Sequence, residues 1–360
     1  MRSVYAIAKK ENLTIVGGSN QSVGVGGWIG GGGHSPISAR FGLGADQVIE
    51  MEVVTADGAF RTINAEKDEE LFWAMRGGEF AYFWICYDRR FGGLLESCGL
   101  APSLTEDQIR SILGPVEDEI TKAKWGDPVY ITSSQKHTDN FIAYWRTATA
   151  DEAAGFPGAR LGSRLLSNES LLGDFDKLKS ALRTSTPAPW SLLGHLVALA
   201  PNGPQVVKGI AGGTDAVPPA WRKSYVHAVV SRSWLPLNRT SLTNVTTDLR
   251  DVRVAALRDI EPDTGAYMSE SDPTEPDWQM TKFGENYTRL LRIKKEYDPE
   301  GLFWCKQCAG SELWSTEGEL GIENGVGQNR VRLCRGHDGW RHGDWWASSH
   351  AMISHEADMP

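Results

Sequence analysis

The sequence predicts an α+β fold, in which helices flank an antiparallel sheet. Three observations carry that expectation. Val48–Val54 and Ala59–Ile63 are apolar and β-branched runs joined across Asp57-Gly58, a strong hairpin signal. Ser224–Trp234 alternates, so Tyr225, His227 and Val229 share one face of a strand and Val226, Ala228 and Val230 the other. Helix-like stretches surround these strands, and no internal repeat is present.

The elements follow in order. Ser3–Glu11 reads as an amphipathic helix and Thr14-Ile15-Val16 as a short strand, and Gly17–Gly44 is dominated by glycine. After the hairpin, Asp68–Met75 reads as a short helix stopped by Gly77-Gly78. Residues 79–100 show neither alternation nor helical spacing and receive no assignment. Ser103-Leu-Thr-Glu106 forms a capping box that opens a helix through Leu113. Further helices are expected near 138–147, 169–182, 241–259 and 286–296. The last 25 residues hold four of the eight histidines without any period, and a disordered tail is expected there.

Composition narrows the function. With 360 residues and 41% hydrophobic content, the chain can bury a sizeable core in about two domains. Lys and Arg total 37 against 46 Asp and Glu, a net charge of −9, and no basic run is present. Nucleic acid and anionic membrane surfaces are therefore unsuitable partners. No stretch approaches the roughly 20 apolar residues of a membrane span. Five cysteines are too few for a disulfide scaffold. Six N-x-S/T sequons, at Asn12, Asn20, Asn168, Asn238, Asn244 and Asn286, point to a secreted glycoprotein, although the opening segment lacks a signal-peptide pattern.

Residues 24–33, GVGGWIGGGG, hold seven glycines. Glycine is costly in ordered elements, and its benefit is that bare backbone can approach a phosphate or a flat ring. A linker would be Gly/Ser-rich and polar, whereas this stretch interleaves Val23, Val25, Trp28 and Ile29. A ligand-cradling loop is the better reading. It is neither a G-x-G-x-x-G fingerprint, since Ile29 stands at the third glycine position, nor a P-loop.

Residues 23–58, VGVGGWIGGGGHSPISARFGLGADQVIEMEVVTADG, resemble the second FAD subdomain of the p-cresol methylhydroxylase/vanillyl-alcohol oxidase type, and within it the fungal berberine-bridge-enzyme-like oxidases. The resemblance continues through LFWAMRGG (71–78), LGSRLL (161–166), PPAWRKSYVHAVV (218–230), GAYMSESDPTEPDWQ (265–279) and the segment 283–312. It implies a second FAD-binding α/β subdomain at 1–78, a substrate domain with an antiparallel sheet at 79–282, and a returning segment at 283–315. Residues 316–360 fall outside it. The first FAD subdomain is expected to be missing.

The resemblance further implies an FAD oxidase that takes a hydride from a small-molecule substrate and is reoxidised by O2 to give H2O2. Alcohols, sugars, amines and secondary metabolites are its substrate classes. Gly24, Val25, Gly26, Gly27, Trp28, Gly31, Gly32 and His34 would line the cofactor, with Val53 near the adenine and Asn286 and Tyr287 approaching from the carboxy-terminal segment. The residues themselves also allow Asn286 as a helix N-cap and Tyr287 as a core aromatic. Several positions depart from the pattern. Asn20 stands where relatives attach flavin through Cys, Trp28 where many have His, and His34 where many have Tyr.

Glu270 is the leading candidate base, on a strand expected over Tyr267–Glu270 that would aim Glu270 and Met268 to one face. His227, mid-strand, is the second. Two other classes stay open. Cys305-x-x-Cys308 with Cys334-x-x-His337 has zinc-ligand types, although 25 intervening residues exceed the usual gap. A flavin-free, non-enzymatic remnant is the other.

Overall fold

The computed structural model describes residues 1–77, 83–88, 94–99, 105–122, 158–186, 191–196, 214–235, 237–317 and 332–335. The opening helix, Arg2–Lys10, turns Tyr5 and Ala8 inward, where Met1, Tyr5 and Trp28 form one core cluster. Thr14–Val16 is irregular rather than a strand, because no described segment pairs with it. Strands β1 (Glu50–Val54) and β2 (Phe60–Asn64) pair antiparallel with Val54 opposite Phe60. Their link is wider than a two-residue turn. Asp57 Oδ1 accepts the Ala59 amide at 3.0 Å and the Thr55 hydroxyl at 2.6 Å, and Gly58 sits at φ 80°.

Helix Glu69–Ala74 presents Leu71, Phe72 and Trp73 to Ile63 of β2 and to Leu290 and Ile293 of the late helix Tyr287–Tyr297. The carboxy-terminal segment thus returns to the amino-terminal unit through an apolar face, with Glu70 pairing with Arg289 and Arg292 beside it.

The main sheet has five antiparallel strands. They are β3 (Phe83–Asp88), β4 (Leu94–Gly99), β5 (Ala159–Ser167), β6 (Ser191–Leu196) and β7 (Ser224–Ser233), in spatial order β4-β3-β6-β7-β5. Segment 79–100, which pattern alone could not assign, supplies β3 and β4. The alternation along β7 holds. Ala228 and Val230 face a helical run over 239–260, joining Leu249, Val254 and Leu257 in one cluster. His227 points to the opposite face.

The run over 239–260 contains a π-turn at Leu249–Val254, and its amino end is capped by Asn238 Oδ1, which accepts the Ser241 amide at 2.9 Å. Expected helix 169–182 divides into Asn168–Leu172 and Phe175–Ser185. The break falls at Gly173, and Asp174 Oδ1 caps the second piece through the Lys177 amide.

Helix Glu106–Lys122 is longer than expected and starts from a different box. Gln108 Oε1 accepts the Thr105 amide at 2.8 Å while Thr105 Oγ1 accepts the Gln108 amide at 3.3 Å. It continues through Pro115 on an exposed face, where water can satisfy the carbonyl that proline leaves unpaired. Ser103 and the expected helix 138–147 lie outside the described residues. Ahead of the last 25 residues, which lie outside the described residues, β8 (Trp314–Glu317) pairs antiparallel with β9 (Arg332–Arg335).

Candidate active site

The segment expected as a strand over Tyr267–Glu270 is instead a 3-10 turn, Met268–Glu270, closed by the Glu270 amide donating to Tyr267 O at 3.1 Å. A repeat of three replaces a repeat of two. Glu270 therefore shares a side with Tyr267, not with Met268. That side faces both β7 and the glycine-rich segment. Glu270 Oε1 lies 3.2 Å from His34 Nε2, and Oε2 lies 3.6 Å from His227 Nδ1. The two catalytic candidates are thus brought together, and His34 joins them from the glycine-rich segment.

An aromatic floor fixes this group. The Tyr267 ring stands edge-on to His34 at 5.8 Å and to His227 and Trp221 at 5.9 Å each. His227 and Trp221 are fully buried, whereas the Glu270 side chain keeps 25% of its surface exposed. One carboxylate between two imidazoles, dry below and open above, can hold and pass a proton.

The glycines divide into two kinds. A Cβ added at Gly24, Gly26, Gly27 or Gly30 would meet nothing within 4 Å. These positions form a bare backbone wall beside open space, suited to a flat or phosphate-bearing group. Other glycines are packed. A Cβ at Gly31 would come 2.7 Å from Ser269 Oγ, so Gly31 lets the catalytic turn approach. Gly33 and Gly44 yield to the Trp28 ring, which would lie 2.5 and 2.2 Å from their Cβ atoms. Trp28 is therefore a buried packing residue beneath the wall, rather than part of its surface. Val25 and Ile29 pack on the same cluster, and Gly32 is buried at φ 118°.

The more distant candidates do other things. Val53 packs beside the cluster of Ile63 and Trp73, a different cluster from that of Tyr267. Asn286 Nδ2 donates to the carbonyls of Ala216 at 3.2 Å and Val217 at 3.0 Å, and its side chain caps no helix. The Tyr287 hydroxyl donates to Glu312 Oε1 at 2.5 Å and accepts the Gly310 amide at 3.3 Å. Burial, reinforced by Glu312, pushes that hydroxyl well above the ordinary phenol range. Cys305 and Cys308 form a disulfide, so neither sulfur is a thiolate available to zinc.

One supporting network has no precedent in the sequence reading. Arg222 donates to both Asp46 oxygens, at 2.7 and 3.1 Å, and to Asp215 at 3.3 Å. This fork ties the end of the glycine-rich segment to the approach of β7. Burial pushes Asp215 up to about 7, and its neighbour Asp46 adds to the shift. For Asp46 burial acts in the same direction, but hydrogen bonds from Arg222 and Leu43 hold it below its ordinary value. The sequence signal was a lone acid in GLGADQV and an adjacent Arg-Lys pair in PPAWRKS.

Comparison with known proteins supports an FAD-binding chain of this fold. Residues 1–64 match the family model described as FAD binding domain, and residues 266–308 match that of berberine and berberine like. The chain is 31% identical to an uncharacterized FAD-linked oxidoreductase of Arthroderma benhamiae over 88% of its own length and 64% of the relative's. It is 28% identical to an FAD-linked oxidoreductase of Aspergillus clavatus, again over 88% of this chain and 64% of the relative. It thus spans slightly less than two thirds of these relatives.

Among solved structures, a VAO-type flavoprotein of Myceliophthora thermophila C1 superimposes with a TM-score of 0.75 at 25% identity, covering 93% of this chain and 67% of that one. A carbohydrate oxidase of Microdochium nivale shares the fold, with a TM-score of 0.65 at 17% identity over 86% of this chain and 76% of that one. The fold is that of the VAO-type flavoproteins. The chain is similar to FAD-linked oxidoreductases, with an FAD-binding match at its amino end and a berberine-like match near its carboxy end, and these matches indicate FAD as its cofactor.

Proposed function

We propose that this chain carries the substrate side and one wall of the flavin site of an oxidase acting on a small alcohol, sugar, amine or secondary metabolite. FAD, when bound, would supply the redox chemistry, serving as hydride acceptor with O2 as the final oxidant and H2O2 as its product. Gly24, Gly26, Gly27 and Gly30 would hold it, because their bare backbone faces open space.

The chain's own residues handle the proton. Glu270 accepts it from the substrate as the electron pair leaves the adjacent carbon. His34, donating from Nε2 to Oε1, orients the carboxylate and leaves Oε2 as the basic oxygen. His227, 3.6 Å from that oxygen, stabilises the carboxylate between turnovers. The observation that carries the reading is this carboxylate bracketed by two histidines beside the glycine wall.

The test is the visible spectrum of the 360-residue chain after incubation with FAD and desalting. Retained flavin bands followed by substrate-dependent peroxide would support the reading. A colourless protein would favour a non-enzymatic remnant.

A further inference from the structure

The fold divides the six N-x-S/T asparagines, and three of them share one setting. Asn12 follows the opening helix, where its amide donates to Lys9 O at 3.2 Å and its backbone turns left-handed at φ 54°. Asn168 opens helix Asn168–Leu172 directly after β5. Asn238 precedes the helical run over 239–260 and caps it through Oδ1 alone, which leaves Nδ2 unused. All three are exposed.

Each also stands beside exposed leucine. Leu13 is 61% exposed next to Asn12, and Leu172 is 77% exposed one turn after Asn168. Leu235 and Leu237, just before Asn238, are 68% and 72% exposed. A single exposed leucine is ordinary, but grouped apolar surface left bare favours association. The other sequons differ. Asn286 commits its Nδ2 hydrogens to Ala216 O and Val217 O. Asn20 is half-buried, with Oδ1 accepting the Ser22 amide at 2.8 Å and the Ser22 hydroxyl at 2.7 Å. Asn244 is exposed, but its neighbours one turn away, Thr240, Ser241, Thr247 and Asp248, leave nothing apolar to cover.

We propose that Asn12, Asn168 and Asn238 carry N-linked glycans that cover these leucines. The donor is an oligosaccharide on a lipid-linked diphosphate, met in the secretory route. Nδ2 forms a bond to C1 of the first sugar and loses one proton. The C1–O bond to the diphosphate breaks, and its electron pair leaves with the diphosphate oxygen. A bulky, solubilising group is thereby fixed at the surface. At Asn238 the helix cap survives, because Oδ1 is not consumed. None of this depends on a bound flavin.

The test is secretion of the full chain behind a leader from a eukaryotic host. Peptide N-glycosidase digestion in heavy-oxygen water then converts each glycosylated asparagine to labelled aspartate, read by peptide mass mapping. Label is expected at Asn12, Asn168 and Asn238, and none at Asn286. T240A removes the Asn238 sequon at an exposed position without touching the cap. It should lose one glycan and keep its melting temperature, while binding more of an apolar fluorescent dye. Adding Leu235→Ser and Leu237→Ser to T240A should return dye binding to the wild-type level. Label at Asn286, no label at Asn238, or T240A that binds dye as wild type does would overturn the proposal.

Discussion

Glu270 Oε1 and His34 Nε2 lie 3.2 Å apart although 236 positions separate them in the chain. The contact joins the turn after Tyr267 to the end of the glycine-rich segment, and so couples the candidate base to the wall proposed for the cofactor. Its consequence is directional. A change in the glycine segment should disturb the carboxylate, and a change in the carboxylate should leave the wall alone.

Glu270→Gln tests the second half of that statement. The amide keeps the size and one acceptor but cannot take a proton. We expect flavin retention equal to wild type, with turnover lowered roughly 10²- to 10⁴-fold, the usual worth of a positioned base. Peroxide production and the retained flavin absorbance, measured on the same sample, provide the check. Loss of both together would make Glu270 a structural residue.

Gly31→Ala and Gly27→Ala test the first half. At Gly31 the new methyl would come 2.7 Å from Ser269 Oγ and 3.5 Å from the Tyr267 ring, so the turn bearing Glu270 must move. A stability loss of about 1–3 kcal/mol is expected there, without any cofactor present. At Gly27 the methyl meets nothing within 4 Å. The apo melting temperature should hardly change, while FAD retention falls. Equal effects of the two substitutions on the apo chain would contradict the division of the glycines into packed and bare.

Much of this site was legible before the structure, for physical reasons that differ by residue. His227 followed from a period-two alternation, which survives because both faces of β7 are occupied, one by a helical run and one by the site. The glycine segment was legible because seven glycines in ten residues have few uses. Glu270 was named as a candidate from the sequence, but its direction was not anticipated. Only the backbone bond from Glu270 to Tyr267 O distinguishes a 3-10 turn from a strand in so short a run. Trp28 was misassigned to the wall because its indole fills the space that Gly33 and Gly44 leave, a relation between residues that no local pattern contains. Strands β3 and β4 escaped because neither FWICYD nor LLESCG alternates apolar with polar residues.

The Asp46–Arg222–Asp215 fork gives the fold a pH dependence whose sign is fixed. Burial, with Asp46 adding, pushes Asp215 up to about 7 from an ordinary 3.8. Between these values the folded chain keeps a proton that the unfolded chain has lost. Stability therefore falls as pH rises through that window and levels off above it. The melting temperature should decline by several degrees between about pH 5 and 7. Asp215→Asn imitates the protonated state and should flatten the profile, leaving Asp46 as the sole carboxylate on Arg222. Parallel profiles for the two proteins would sink the assignment.

Asn286 is the sharpest case of a residue whose role neither sequence alternative anticipated. Its amide donates to the carbonyls of Ala216 and Val217, so it is a clamp between segments 70 positions apart. Asn286→Ala leaves two acceptors unmatched and should cost about 1–3 kcal/mol. Asn286→Asp should cost more at neutral pH, because a carboxylate would face two carbonyl oxygens. Those oxygens favour its protonated form, so its folded-state pKa must rise. The folded aspartate variant then holds a proton more tightly than its unfolded chain, and its stability should recover as pH falls. The alanine variant has nothing to titrate at this position and should not recover. Denaturant midpoints at pH 5 and pH 8 for both variants separate the clamp from a flavin contact, which would lower FAD retention while leaving the apo midpoints unchanged.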